Sequence, residues 1–330
     1  MSPHADVAVI GGGLSGVSCA IALREQGLAV AVLDRGRAPG GRMASRTLRG
    51  DTRVDGRVVD IGASYLTVRD PAFVEVVKRL QRAGVVRPWT DTFHVAGPEG
   101  ITGTRTGPMR YVAPAGMRAI VTALADEAGL VIASETDVAG VTPTSAGIDV
   151  DGTTYAAAAV CMPPPQVQRI CSSLPVEDID YEPVIAVTLV YDERAWPPLD
   201  GVFVNDDPLV TWIADDGARR GDGAPVLVVH LSPPESAMHL DDPDGAIPVA
   251  RAAVARILGV AAEPAYVHAH RWTFARPVAG RAESHLLHPT APLGLAGDVW
   301  TGGDDAAPRV ESAWLSGRAL AASLGERIAH

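Results

Sequence analysis

At 330 residues, 47% hydrophobic and 20% charged, the chain has a globular composition with room for one large or two ordinary domains, which excludes disorder. The net charge of −11 argues against a nucleic-acid surface, and no uninterrupted apolar run reaches the ~18–20 residues of a membrane span. Three cysteines (Cys19, Cys161 and Cys171), odd in number and without metal-type spacing, read as reduced thiols of a cytoplasmic protein, and no metal is expected.

In chain order, Val7 to Ile10 is a short apolar run with the β-branched residues of a buried parallel strand. Gly11, Gly13 and Gly16 follow in G-x-G-x-x-G spacing, and Val17 to Gln26 reads as a helix stopped by Gly27. Gly11 suits a tight turn, Gly13 close approach of backbone to a diphosphate, and Gly16 packing of helix on strand. Leu14 and Ser15 then lie at a helix N-terminus, where unpaired N–H groups and partial positive charge favour phosphate. The run is glycine-broken and has no basic leader, so it reads as part of the fold rather than as a secretion signal. A second strand, Leu28 to Leu33, ends at Asp34, about where an acid must stand to bind a ribose hydroxyl. Arg35 opens RGRAPGGRMAS, in which Gly40, Gly41, Arg42 and Met43 can wrap a diphosphate between main-chain N–H groups and a guanidinium.

Val59 to Tyr65, with Gly62, Ala63 and Ser64, is an apolar run ending in a turn that could bring backbone beside a flat ring. Pro71 to Ala83 and Met117 to Ala128 read as helices, the first with Phe73, Val76, Val77 and Leu80 at helical spacing. Leu130 to Ala133, Val138 to Val141, Ile148 to Val150 and Thr153 to Tyr155 read as a strand meander, and Ala157 to Cys161 as a strand ended by prolines. Ile185 to Tyr191, Leu209 to Ile213 and Val226 to Leu231 are further strands, and Ala246 to Leu258 is a helix. Asn205 to Pro208, Asp215 to Gly223 and Ser232 to Gly245, rich in Asp, Gly and Pro, read as turns and surface loops.

On a strand through AHRWTFARP, His268, His270, Trp272 and Phe274 share one face and Arg271 takes the other. An aromatic face of this kind can sandwich a flat substrate, with His and Arg meeting anionic groups. Leu293 to Ala296 is a strand that runs into Gly297 and Asp298, and Arg309 to Arg327 is the last helix, with Val310 and Ala313 near its start. The glycine fingerprint alone says dinucleotide. Together with Asp34, Arg42 and Asp298 it says FAD, bound without a covalent link. Asp298 would accept hydrogen bonds from ribityl hydroxyls, and the last helix would aim N–H groups at the pyrimidine end of the flavin. The expected architecture is α/β: a Rossmann-like FAD-binding domain (1–70, 114–175 and 285–330) with an inserted α+β substrate domain on a mixed sheet (71–113 and 176–284).

The segments GGRMAS, VDIGASYLTVRDPAF, YVAPAGMRAI, AHRWTFARP and GD…RVESAWLSG, with GVFVNDDPL and WIADDGARR between them, resemble bacterial renalase, a branch of the FAD-dependent amine oxidase superfamily. The likeness spans nearly the whole chain. It implies a fold of the p-hydroxybenzoate hydroxylase or monoamine oxidase type. It also implies oxidation of the 2- or 6-dihydro isomers of NAD(P)H to NAD(P)+, with O2 reoxidising the flavin to give H2O2. By this resemblance Gly11, Gly13 and Gly16 meet the pyrophosphate, Asp34 the ribose, Arg42 the phosphates, and the backbone of Val138 the adenine. Asp298 meets the ribityl chain, while Ser64, Tyr65, His270, Arg271 and Trp272 line the substrate cavity. No residue is needed as acid or base, since a dihydropyridine releases hydride unaided. Many amine oxidases place a lysine beside the flavin from the C-terminal half, and the only lysine here is Lys78.

Two positions depart from the family. Ser64 stands where glutamine is usual, and the loop Val299 to Arg309 is long and carries two aspartates. They keep open a relative that oxidises an amine or a C–C bond in a biosynthetic pathway, and beyond it a sensor that holds FAD without turnover. A monomer or a homodimer fits the sequence equally well.

Overall fold

The computed structural model describes residues 5–50, 54–176, 179–303 and 307–329. A six-stranded sheet holds the nucleotide elements. Its order is Leu286–Leu287, Leu293–Leu295, Ala157–Val160, Val7–Ile10, Val30–Leu33 and Ile132–Ala133. All neighbours are parallel except the first pair. Val7–Ile10 is buried throughout, because both faces are covered. Val7 and Val9 pack against Cys19, Leu23, Leu320 and Leu324 of the first helix (Leu14–Glu25) and the last (Val310–Ala329). Ala8 and Ile10 pack against Val141, Ile148 and Val150 of an antiparallel meander on the opposite side. The three cysteines are buried thiols.

A second, seven-stranded mixed sheet runs Tyr266–Pro277, Tyr181–Val190, Val226–Leu231, Val210–Asp215, Gly201–Val204, Arg87–Gly97 and Gly100–Val112. Its alternation is clear. Ile185, Val187, Leu189, Ile213, Leu227 and Val229 face Ala250, Val254 and Ile257 of the helix Ile247–Leu258. Ala186, Thr188, Trp212, His230, His268, His270 and Trp272 therefore point the other way, toward the nucleotide sheet. Helices Pro71–Arg82 and Arg118–Glu127 close a third core, in which Phe73 meets Trp314 at 5.2 Å between ring centres.

Several elements differ from the sequence reading. The meander strand expected at 138–141 is Val141–Thr144. Residues 134–140 are irregular because the Asp151 carboxylate accepts the amides of Ala139 and Gly140 at 3.0 and 2.8 Å. The long hairpin of Arg87–Gly97 and Gly100–Val112 has no counterpart in the reading, since its outer strand is almost wholly exposed and carries no apolar alternation. Asp215 to Gly223 is surface loop only over its last three residues. It forms a buried turn of helix, Asp216–Arg220, capped by the Asp215 carboxylate and stopped by Gly221 in the left-handed region. Ser232 to Gly245 contains the helix Pro233–Met238, capped by Ser232. Val299 and Trp300, at the start of the long loop, are core residues; Asp304 and Asp305 lie outside the described residues. Among the described residues no helix is long and apolar enough to cross a membrane.

Candidate active site

The glycine turn has no room for a side chain at two of its three glycines. A Cβ at Gly16 would overlap the carbonyl oxygen of Gly11, and one at Gly11 (φ +112°) would overlap that of Cys161. Gly13 faces Gly41 with 3.8 Å between a would-be Cβ and the Gly41 Cα, and Gly40 N–H donates to the Gly12 carbonyl at 2.9 Å. The first helix has no side-chain cap and no acidic residue in its first turn. Beside that open end, Ser15 Oγ is buried without a partner. An uncapped N-terminus, an orphaned hydroxyl and a backbone cradle fit a diphosphate.

The flanking residues divide into two groups. Asp34 turns both carboxylate oxygens onto backbone amides, Gly12 on one side and Gly36 (2.6 Å) on the other, so it holds the turn. Arg42 and Asp298, far apart in sequence, meet in a two-pronged ion pair of 2.8 and 2.6 Å, with Arg42 also donating to the Ala275 carbonyl at 3.2 Å. Gly297 N–H is tied to Ser316 Oγ at 3.1 Å, which docks this corner on the last helix. Val310 begins that helix, while the amide of Ala313 is already spent on the Arg309 carbonyl at 3.3 Å. Leu14 and Met43 put their side chains into the core, and Met43 N–H donates to Gly40; Met43 is a packing residue here. Val138 is buried in the core beside the meander, and Arg35 is exposed.

The segment from Ile61 to Tyr65 forms the seam between the sheets and is held by hydrogen bonds along its length. Trp272 Nε1 donates to the Ile61 carbonyl at 2.6 Å, and Ala63 N–H to the Arg42 carbonyl at 2.9 Å. Trp212 Nε1 donates to Ser64 Oγ at 3.1 Å, and Arg219 to the Ser64 carbonyl at 3.3 Å. Gly62 has no room for a side chain between Arg42 and Trp272. Arg219 belongs to a buried ionic cluster that bridges the sheets. Asp216 pairs with Arg219, with Arg220 at 2.9 Å and with Arg57 at 2.9 Å, while Asp60 takes Arg220 at 3.2 Å and the Ser45 hydroxyl at 2.6 Å. The sequence reading missed this cluster.

Beneath the seam, Ala186 stands directly opposite His230 on one neighbouring strand and His270 on the other, and Trp212 lies beyond His230. His270 meets Trp272 edge-on at 4.7 Å and His268 at 6.4 Å. His230 went unmarked in the sequence, although its parity with Val226 and Val228 in VLVVHL places it on this face. Arg271, expected in the cavity, lies on the opposite face, where it donates to the Leu240 carbonyl; strand alternation turns it away. Burial, with nearby cationic groups, pushes both His230 and His270 down to about 4, so this wall is uncharged at neutral pH.

A pH dependence follows. Unfolded histidine titrates near ~6.5, so between that value and about 4 the unfolded chain binds more protons than the folded one. Stability is full above the unfolded value and is lost as pH falls through this window. Thermal midpoints measured from about pH 7 down to 4 should drop, and less steeply in His230→Leu. Equal slopes in the two proteins would contradict the assignment.

Comparison with known proteins agrees with this arrangement. The profile of the NAD(P)-binding Rossmann-like domain matches residues 9–80, and that of flavin containing amine oxidoreductases matches residues 100–324. Among solved structures, a protein provisionally assigned as a protoporphyrinogen oxidase from Exiguobacterium sp. 255-15 superposes with a TM-score of 0.79 at 13% identity, covering 99% of each chain. A putrescine oxidase solved with putrescine gives 0.74 at 17% identity, covering 99% of this chain and 100% of that one. The cyclohexylamine oxidase of Brevibacterium oxydans IH-35A gives 0.74 at 14%, with the same coverage. At such identities the structures show a shared fold. The match over residues 100–324 shows more: the chain belongs to the flavin containing amine oxidoreductase family and is an FAD-dependent oxidoreductase.

Proposed function

We propose that this enzyme is a renalase-like oxidase, which takes hydride from 2- or 6-dihydro isomers of NAD(P)H and yields NAD(P)+, with O2 as the final acceptor and H2O2 as its product. The observation that carries this reading is the uncharged wall of His230, Ala186, His270 and Trp272. An unpaired carboxylate on this wall would favour a protonated amine. The buried or half-buried carboxylates Asp60, Asp216 and Asp298 between the sheets are each paired with arginine, and Asp244, which acts on His268, is exposed. The single lysine, Lys78, sits on an exposed helix paired with Glu75 at 2.8 Å. A neutral dihydropyridine needs neither acid nor base, because its ring nitrogen drives hydride out and the ring becomes aromatic.

Bound FAD supplies the hydride-accepting ring nitrogen. The protein's task is then to hold the donor carbon ~3–3.5 Å from it and to exclude water. In this reading residues 1–70, 114–175 and 285–330 hold the cofactor and 71–113 with 176–284 the substrate. Gly11, Gly13, Ser15 and Gly16 take the diphosphate, and Asp34 the ribose. Arg42 and Asp298 open their pair toward the ribityl phosphate, and Trp272, His270 and Ser64 flank the reacting ring.

Anaerobic mixing of the holoenzyme with 6-dihydro-NAD tests the reading. Bleaching of the flavin within seconds is the expected result. Bleaching by simple amines, with none by any dihydronicotinamide, would sink it and favour an amine-oxidising enzyme.

A further inference from the structure

One buried cation in the second sheet has no counter-charge. Arg110, in the strand Gly100–Val112, is 6% exposed. Its guanidinium lies 4.2 Å from the centre of the Phe93 ring and 5.8 Å from that of Tyr65. It donates to the Asp91 carbonyl, and among the described residues it makes no ion pair. Buried Arg219 and the partly buried Arg42, Arg57 and Arg220 are each matched to aspartate. Cation–π contact offsets part of the cost of burying Arg110 but supplies no hydrogen-bond acceptor.

The unmet donors cluster. Arg110 Nε and Trp89 Nε1 are both buried without a partner. Trp89 packs edge-on against Phe93 at 5.1 Å and lies 6.4 Å from Tyr65, ring to ring. Burial raises the Tyr65 hydroxyl despite the neighbouring guanidinium, which keeps it protonated and able to donate. Exposed Gly107 lies beside the guanidinium, where a Cβ would stand 3.1 Å from Arg110 Nη2, so position 107 itself puts no side chain over it. Tyr65 directly follows Ser64 in the seam, with Trp212 bridging the two: 6.0 Å from the Tyr65 ring and hydrogen-bonded to Ser64. The cluster therefore sits at the Tyr65 end of the seam segment.

We propose that Arg110, with Trp89 and Tyr65, forms an oxyanion subsite at the far end of the cleft that takes the phosphoryl or carboxylate tail of the substrate. Arg110 donates to the Tyr65 oxygen, which leaves the guanidinium Nε, the indole N–H and the phenol O–H as donors for an oxyanion. The naming of that oxyanion as a nucleotide phosphoryl group rests on the dihydronicotinamide reading; the subsite itself does not.

The test uses the holoenzyme and two donors that differ by one phosphate, 6-dihydronicotinamide mononucleotide and its riboside. Anaerobic flavin reduction gives a half-saturation concentration for each. The riboside value should exceed the mononucleotide value by about 30-fold in the wild type, the size of a charge-assisted contact. In Arg110→Met the ratio should fall below about 3, and in Trp89→Phe, which keeps a ring but loses the N–H, to about 10. An unchanged ratio in both variants, each holding its FAD, overturns the subsite. If neither donor reduces the flavin, the dihydronicotinamide reading fails by itself. Titration of the oxidised holoenzyme with inorganic phosphate and with succinate, followed by tryptophan fluorescence, then decides the subsite. Quenching that needs at least about tenfold more anion in Arg110→Met supports it, with the better quencher telling phosphoryl from carboxylate. Quenching that does not depend on Arg110, or no quenching at all, overturns it.

Discussion

Gly16→Ala is expected to yield a colourless protein. The new Cβ would collide with the Gly11 carbonyl oxygen, which is itself fixed because Gly11 packs against the Cys161 carbonyl at φ +112°. Neither obstacle is a flexible side-chain tip, so relief requires the first helix to lift from Val7–Ile10. That displacement spoils the alignment of the amides around Ser15. We expect at least a hundredfold loss of FAD affinity, roughly 3 kcal/mol, at the upper end of overpacking costs. Flavin absorbance per chain after gel filtration measures it. Gly103→Ala is the control, with no atom within 4 Å of its would-be Cβ. A Gly16→Ala protein as yellow as that control would remove the glycine turn from the cofactor site.

Arg219→Met is expected to damage both stability and the flavin environment. Arg219 is among the largest fully buried side chains. It neutralises Asp216 and, through its contact at 3.3 Å, fixes the Ser64 carbonyl. Breaking one partner of a buried ion pair costs about 3–5 kcal/mol. Arg57 and Arg220 still face Asp216, so we expect the lower end, a fall in thermal midpoint on the order of 5–10 °C. Burial would raise the Asp216 carboxyl, but Arg219, Arg220 and Arg57 outweigh it and hold it well below the ordinary carboxylate range. A carboxyl depressed in the folded state stabilises at neutral pH, and that stability is lost as acid titrates it below its unfolded value of ~3.9. The wild type should therefore lose stability toward pH ~3 more steeply than Arg219→Met. The variant should also show a shifted flavin absorption band, since the seam beside Gly62 is released. A midpoint within about 1 °C of the wild type, with an unaltered spectrum, would show that the cluster bears no load.

What the sequence made legible follows from how local each signal is. The glycine turn, Asp34 and the first strand and helix could be read because their spacing is set within one supersecondary unit. Arg42 and Asp298 were each recognisable, but their pairing joins residues at opposite ends of the chain and has no local trace. Asp215 to Gly223 misled for a chemical reason. Its aspartates and glycines have the composition of a solvated turn, and only the arrival of Arg57 and the main chain of Ser64 from elsewhere makes burial affordable. The hairpin strand Gly100–Val112 gave no periodicity, because pairing along its edge, not an apolar face, holds it. Arg271 was placed on its correct side by alternation and yet drawn into the cavity by its neighbours His270 and Trp272. Arg110 resembled any strand arginine, since lack of a counter-charge is a property of three dimensions.

The last helix has a consequence for how the molecule is made. Gly317 has no side chain because Ser15 and Cys19 of the first helix press directly against it, and the Ser18 hydroxyl donates to the Trp314 carbonyl at 2.7 Å. The glycine turn thus lacks one of its walls until residues 310–329, far along the chain, have docked on the first helix. Completing it is a long-range step, slower to form than the strand and helix that flank the turn. Docking of the last helix and retention of the cofactor are then linked, each stabilising the other.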